Sequence, residues 1–224
     1  MVALFIALTF IGFVLVDLVV QRLEARRVAT AVASGQLWDV PRGFFLAEGH
    51  TWSYPDSSVG VRLGADALLV HALGAVKKVV APKPGELVKV GQPLFRLENQ
   101  GCEMEVLSSI TGRVVGLNPD LGKRPELVAK DPYGAGWICA ITPTQSNWDS
   151  VKLRSGEKAR AWLEQEFHRF REFLSLQVSP DLALNVTCPD GGLPALGSLT
   201  QLPSKGRRAF EAEFLRLPGA PPAA

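Results

Sequence analysis

The stretch Gly85-Glu86-Leu87-Val88-Lys89-Val90-Gly91-Gln92-Pro93-Leu94-Phe95-Arg96-Leu97-Glu98 decides the fold. A glycine turn leads into a short valine run, Gly91 makes a second turn, and the next run ends at Glu98. Short β-branched runs between glycine and proline turns read as strands. Ser108-Ser109-Ile110-Thr111-Gly112-Arg113-Val114-Val115 has the same texture, with Gly112 making a return turn. Between these halves lies a hairpin, Glu98-Asn99-Gln100-Gly101-Cys102-Glu103, in which Asn99 to Gly101 suit a tight turn because Asn and Gly tolerate positive φ.

The same texture extends outward from Phe44 to about Ile141. Further runs are Val76–Val80, Leu87–Val90, Leu94–Leu97, Glu103–Leu107, Arg113–Leu117 and Trp137–Ile141. Their spacing predicts a small antiparallel sandwich or barrel. Ala65, Leu68, Leu69, Ala72 and Leu73 recur at helical spacing and Gly74 closes that turn of helix. Ser155 to Leu176 reads as a longer helix with an apolar stripe of Trp162, Phe167, Phe170, Phe173 and Leu174, and Ser155 offers a partial cap. Arg207 to Leu215 is a short amphipathic helix carrying Phe210 and Phe214.

At the other end, 17 of the first 20 residues are apolar, the exceptions being Thr9, Gly12 and Asp17. As a helix, 20 residues span about 30 Å, the hydrocarbon thickness of a bilayer. No basic residue precedes the run, which argues against a cleaved signal peptide. Arg22, Arg26 and Arg27 follow it, so the positive-inside rule places the rest of the chain in the cytoplasm, on a single-pass inner-membrane anchor. Asp17, one turn from the interface, can snorkel or pair with a partner helix. The expected division is an anchor at 1–21, a juxtamembrane helix and linker at 22–43, a β domain at 44–150, its C-terminal helix at 151–177, and a tail at 178–224. The fold expected is therefore mainly β with flanking helices, plus one transmembrane helix.

Charge is balanced, with 24 Lys and Arg against 22 Asp and Glu, and the basic residues are scattered. This gives no nucleic-acid signal. Cys102, Cys139 and Cys188 are far apart, and His50, His71 and His168 are equally isolated, so no metal ligand spacing appears. No nucleophile and base can be paired, so an enzyme is not expected.

The two glycine-turn halves resemble a lipoyl- or biotinyl-carrier domain, a flattened β-barrel with a hairpin at one end. Pro125-Glu126-Leu127-Val128 followed by Asp131-Pro132-Tyr133-Gly134-Ala135-Gly136-Trp137 is similar to the C-terminal signature of the glycine cleavage system H protein family. Gly49-His50-Thr51-Trp52 resembles that family's early His-x-Trp element, and the Gly64–Gly74 and Ser155 helices sit where the family has helices. The resemblance covers about 44–175. It implies a non-enzymatic carrier whose hairpin lysine bears lipoate and visits partner enzymes.

One residue departs from that pattern. Counting back from Gly112, the position where the resemblance places the lysine is Gly101, and no lysine occurs between Lys89 and Lys123. Lys77 and Lys78 belong to an earlier strand and are not expected to present on the hairpin. Without a primary amine, no lipoate or other cofactor is expected at the tip. Cys102 is either an exposed thiol or a small strand-end residue. The second is favoured because no Lys or Arg adjoins it to lower its pKa. Glu98, Glu103 and Glu105 make the tip acidic, suited to a basic partner surface. Two roles follow: a membrane-anchored docking subunit of a membrane-associated redox or metabolic complex, whose interaction surface is the tip 98–103, or a lipoate-dependent carrier of the glycine cleavage system or a related pathway, with attachment elsewhere or a cofactor held on Cys102.

Overall fold

The computed structural model describes residues 38–144, 152–177 and 193–217. The expected anchor and Asp17 lie outside the described residues. Among the described residues no helix is long and apolar enough to cross a membrane.

Ten strands form two antiparallel sheets. They are β1 (Phe45–Ala47), β2 (Thr51–Asp56), β3 (Gly60–Ala65), β4 (Lys78–Val80), β5 (Leu87–Val88), β6 (Pro93–Asn99), β7 (Cys102–Leu107), β8 (Gly112–Leu117), β9 (Cys139–Pro143) and β10 (Arg154–Ser155). The larger sheet runs β10-β1-β2-β3-β9-β8-β5 and the smaller β4-β6-β7. The helices are α1 (Ala67–Leu73), α2 (Leu127–Lys130), α3 (Gly156–Gln177), α4 (Ser198–Gln201) and α5 (Ser204–Phe214). The mainly β architecture expected from the glycine-turn texture is present. β1 to β3 were not resolved as separate runs in the sequence, and Ser155 is a strand residue opposite Phe45 rather than only a cap.

Local chemistry explains the elements that position the hairpin. In β2 and β3, Trp52 lies opposite Gly64, and a Cβ at Gly64 would stand 2.5 Å from the Trp52 ring. Only glycine lets the indole lie flat on the neighbouring backbone. Asp66 caps α1 by accepting from Leu69 N at 3.1 Å, and Gly74 at φ 77° ends it. Between these limits Leu68, Leu69, Ala72 and Leu73 are completely buried. α1 therefore acts as a plug between the sheets and the helices.

Of the expected α3 stripe, Trp162 is only half-buried, while Phe167, Phe170, Phe173 and Leu174 are buried, joined by Ala159 and Leu163. Against it packs α5, where Phe210 stacks on Phe214 at 4.8 Å and meets Phe170 edge-on at 5.3 Å. Offset and edge-on aromatic contacts add about 1 kcal/mol each to their burial. The described part of the tail is thus joined to α3 by a shared aromatic core.

Gly64→Ala is expected to destabilise the chain by roughly 1–3 kcal/mol, because Trp52 has no space to retreat. Gly116→Ala, where a Cβ would meet nothing within 4 Å, serves as the neutral control. Urea unfolding measures both, and equal midpoints would remove the packing argument.

Candidate functional site

The β6–β7 hairpin closes through Asn99 and Cys102, which face each other across a two-residue turn. Gln100 and Gly101 both adopt positive φ, 48° and 73°. Two consecutive left-handed residues make a type I′ turn, whose twist matches that of the strands. The pleat then sends Leu97, Asn99, Cys102 and Met104 inward, all of them buried. Gln100 and Gly101 remain exposed, and a Cβ on Gly101 would meet nothing within 4 Å.

Neighbouring cations offset part of the acidity expected of the tip from its glutamates. Lys78 stands opposite Glu98 across β4 and β6, with Nζ 3.1 Å from the carboxylate. Arg96 lies 3.5 Å from Glu103 and 3.2 Å from Glu105. Each such exposed pair is worth about 0–1 kcal/mol, and the two cations offset two of the three carboxylates. Lys78 is also closer to the hairpin than its sequence position suggests. β4 is the hairpin's own neighbour, a pairing across twenty residues that sequence spacing does not disclose.

The segment 193–217 covers one flank of the tip. Cys102 is fully buried, its Sγ 3.9 Å from the Leu199 carbonyl oxygen. Arg207 donates to the Gly101 carbonyl at 3.0 Å, and Glu105 N donates to the Glu211 carboxylate at 3.5 Å. Asn99 Nδ2 donates to Leu73 O at 2.8 Å, and Gly197 N donates to His71 O at 2.9 Å. Burial pushes the Cys102 thiol up, and the nearby Arg207 only partly opposes this. Of the two readings of Cys102, the strand-end residue is the one seen. The covering residues Leu199, Arg207 and Glu211 were missed as site residues. Phe210 and Phe214 marked an amphipathic helix, but nothing in the sequence said where it would seat.

A second cluster ties the domain to its helices. His50, 1% exposed, places Nδ1 2.7 Å from Asp66 Oδ2 and Nε2 3.6 Å from Glu166 Oε2. Its ring stacks on Trp162 at 5.3 Å. Burial alone would lower the His50 pKa, but Asp66 and Glu166 outweigh it and raise the value to about 9. Burial likewise acts to raise Glu166, yet His50 and Arg169 hold it below the usual carboxylate range.

Two outcomes follow from this geometry. Labelling of Cys102 by a maleimide must await local opening, so it should be on the order of a hundredfold slower than for a free thiol. Leu199→Ala should speed Cys102 without speeding Cys139, which is buried in β9. Peptide mapping by mass spectrometry reads both, and equal acceleration would mean global unfolding. For His50, a folded pKa of about 9 against an ordinary 6.5 gives stability fully present below pH 6.5 and lost as pH rises through 9. The loss is on the order of 3 kcal/mol. Chemical denaturation from pH 6 to 10 should show it, and His50→Gln should flatten the profile.

The family model described as glycine cleavage H-protein matches residues 45–166. A glycine cleavage system H protein of Thermus thermophilus is 32% identical over 128 residues, 57% of this chain and 98% of that protein. A glycine cleavage system H-like protein of Chlamydia pneumoniae is 36% identical over 109 residues, 49% of this chain and 94% of that protein. The crystal structure of a glycine cleavage system H protein from Mycobacterium marinum is 25% identical with a TM-score of 0.48, covering 56% of this chain and 99% of that one. The covering segment 193–217 lies beyond the matched residues. From β1 into α3, the chain belongs to the glycine cleavage H-protein family.

Proposed function

We propose that this chain is a membrane-anchored, non-enzymatic docking subunit built on an H-protein domain, and that its hairpin carries no lipoate. The observation that carries the reading is the tip itself. Lipoate is attached through an amide to a primary amine, and the exposed turn residues are Gln100 and Gly101. The side chains flanking the turn, Asn99 and Cys102, are buried, the thiol against Leu199. The residues present at the tip therefore do not fit a lipoyl group, and no transfer step is assigned to it. The apolar run Val2–Val20 supports attachment to the inner membrane, with the domain in the cytoplasm and a protein partner in a membrane-associated complex.

A second reading has its own support. The relatives are named glycine cleavage system H proteins, which fits a lipoate-dependent carrier. Lys78, its side chain 64% exposed, presents an amine on the strand beside the hairpin. Attachment there would give the carrier reading a chemical basis.

Intact-mass measurement of the full chain, produced with lipoate available, separates the two. The docking reading expects an unmodified mass in the membrane fraction, resistant to alkaline washing. A lipoyl mass increment that disappears in Lys78→Arg would replace it with the carrier reading. Recovery of the chain from the wash would remove the anchor.

A further inference from the structure

The family match ends at residue 166, and 128 residues of this chain account for 98% of the Thermus thermophilus relative. A domain of this family is therefore complete without α4 and α5.

The segment that carries these helices has the chemistry of a ligand seated in a groove. α5 buries Gly206, Phe210 and Phe214, at four-residue intervals, and turns Lys205, Arg208 and Glu213 outward. An amphipathic helix of this kind binds through anchors one turn apart. The floor of its groove is α3, where Phe170 lies 5.3 Å from Phe210 and Phe173 lies 5.5 Å from Phe214. One wall is the hairpin, where Arg207 donates to Gly101 O at 3.0 Å. The other wall is the end of α1. There Gly197 N donates to His71 O at 2.9 Å, and His71 Nε2 lies 2.7 Å from Pro194 O. Gly74 permits this approach, because a Cβ on it would stand 2.9 Å from Gly197 Cα.

The seam is well filled on its apolar side and imperfect on its polar side. Asn99 Oδ1 of the hairpin and Ser198 Oγ of α4 are buried with no hydrogen-bond partner among the described residues. Glu105 N reaches the Glu211 carboxylate at only 3.5 Å. Burial and the neighbouring Glu105 carboxylate hold Glu211 above the usual carboxylate range. Such groups oppose closure, because water satisfies them when the seam opens. A permanent core seldom keeps them.

We propose that the face formed by the hairpin flank, the end of α1 and α3 is a receptor for a short amphipathic helix, and that residues 193–217 are its exchangeable occupant in cis. In trans the face takes a helix of the same chemistry: two aromatic residues one turn apart, with an arginine one turn before the first. The tail is then a cover that such a helix must displace. This inference rests on the docking reading, for which it names the surface and the form of the partner.

The test follows maleimide labelling of Cys102 and Cys139 in the full chain in detergent, read by peptide mapping. In Phe210→Ala/Phe214→Ala, Cys102 should label on the order of tenfold faster than in the native chain, with Cys139 unchanged. A synthetic peptide of residues 193–217 should then slow Cys102 again, saturably, whereas the same peptide carrying both substitutions should not. Arg207→Ala removes one bond to the hairpin and no aromatic contact, and should give the same pattern at about threefold amplitude. A peptide that leaves Cys102 fast in both variants overturns the receptor. Equal acceleration of Cys139 in both variants makes the segment a fixed part of the core and overturns it too. The lipoyl mass reads the docking proposal separately. A lipoyl increment on Lys78 with peptide exchange intact removes docking alone, and an unmodified chain without exchange removes this inference alone.

Discussion

The His50 imidazolium, held between Asp66 and Glu166, is the interaction on which the rest of the structure depends. Asp66 divides its carboxylate: Oδ2 meets His50, while Oδ1 caps α1. Glu166 faces His50 from α3 and also takes Arg169 at 2.8 Å. Arg169 continues outward, donating to the Glu213 carbonyl oxygen at 2.8 Å and lying over the Phe214 ring at 4.2 Å. One line of charge therefore links β2, α1, α3 and α5. Buried ions of this kind contribute little net stability as a set, but removal of one partner typically costs about 3–5 kcal/mol. They specify which surfaces meet, whereas the aromatic burial of Phe170, Phe173, Phe210 and Phe214 supplies the free energy.

That arrangement explains why the fold was legible in the sequence and the site only in part. Gly85 and Gly91 mark turns that any reader of the chain can place, and the runs beside them became β5 and β6, whereas Gly112, expected to make a return turn, is the first residue of β8, where a Cβ would strike the Thr142 carbonyl oxygen. The Trp162–Leu174 stripe became α3 for the same reason: a period of 3.6 is a local property. β1 to β3 were less legible because Trp52 and Gly64 make sense only as a pair, across a hairpin. Sequence spacing shows Gly64 as one more small residue, and the indole above it as one more aromatic.

The site is a longer-range matter still. Lys78 neutralises Glu98, and Leu199 covers Cys102, from distant parts of the chain. Composition near the tip gives three glutamates and a cysteine, hence an acidic surface with a thiol. The fold gives partly offset charges and a sealed thiol. His50 shows the same limit. Alone in sequence it has no ligand or base beside it, yet the α1 cap brings it Asp66 and α3 brings it Glu166 and Trp162.

The turn residue at 101 then has two consequences, not one. A type I′ turn requires the left-handed region at both central positions, and Gly101 meets this at φ 73° without a Cβ. A lysine there would find open space, since no atom lies within 4 Å of its Cβ position. Its backbone would nevertheless be held where L-residues are disfavoured by roughly 1–2 kcal/mol. Gln100 already bears that strain at φ 48°. Glycine at 101 thus favours tight closure of the hairpin over display of a long side chain, and Arg207 fixes the result by bonding the Gly101 carbonyl. The compact turn and the Arg207 bond both support a tip that is held in place by its own chain.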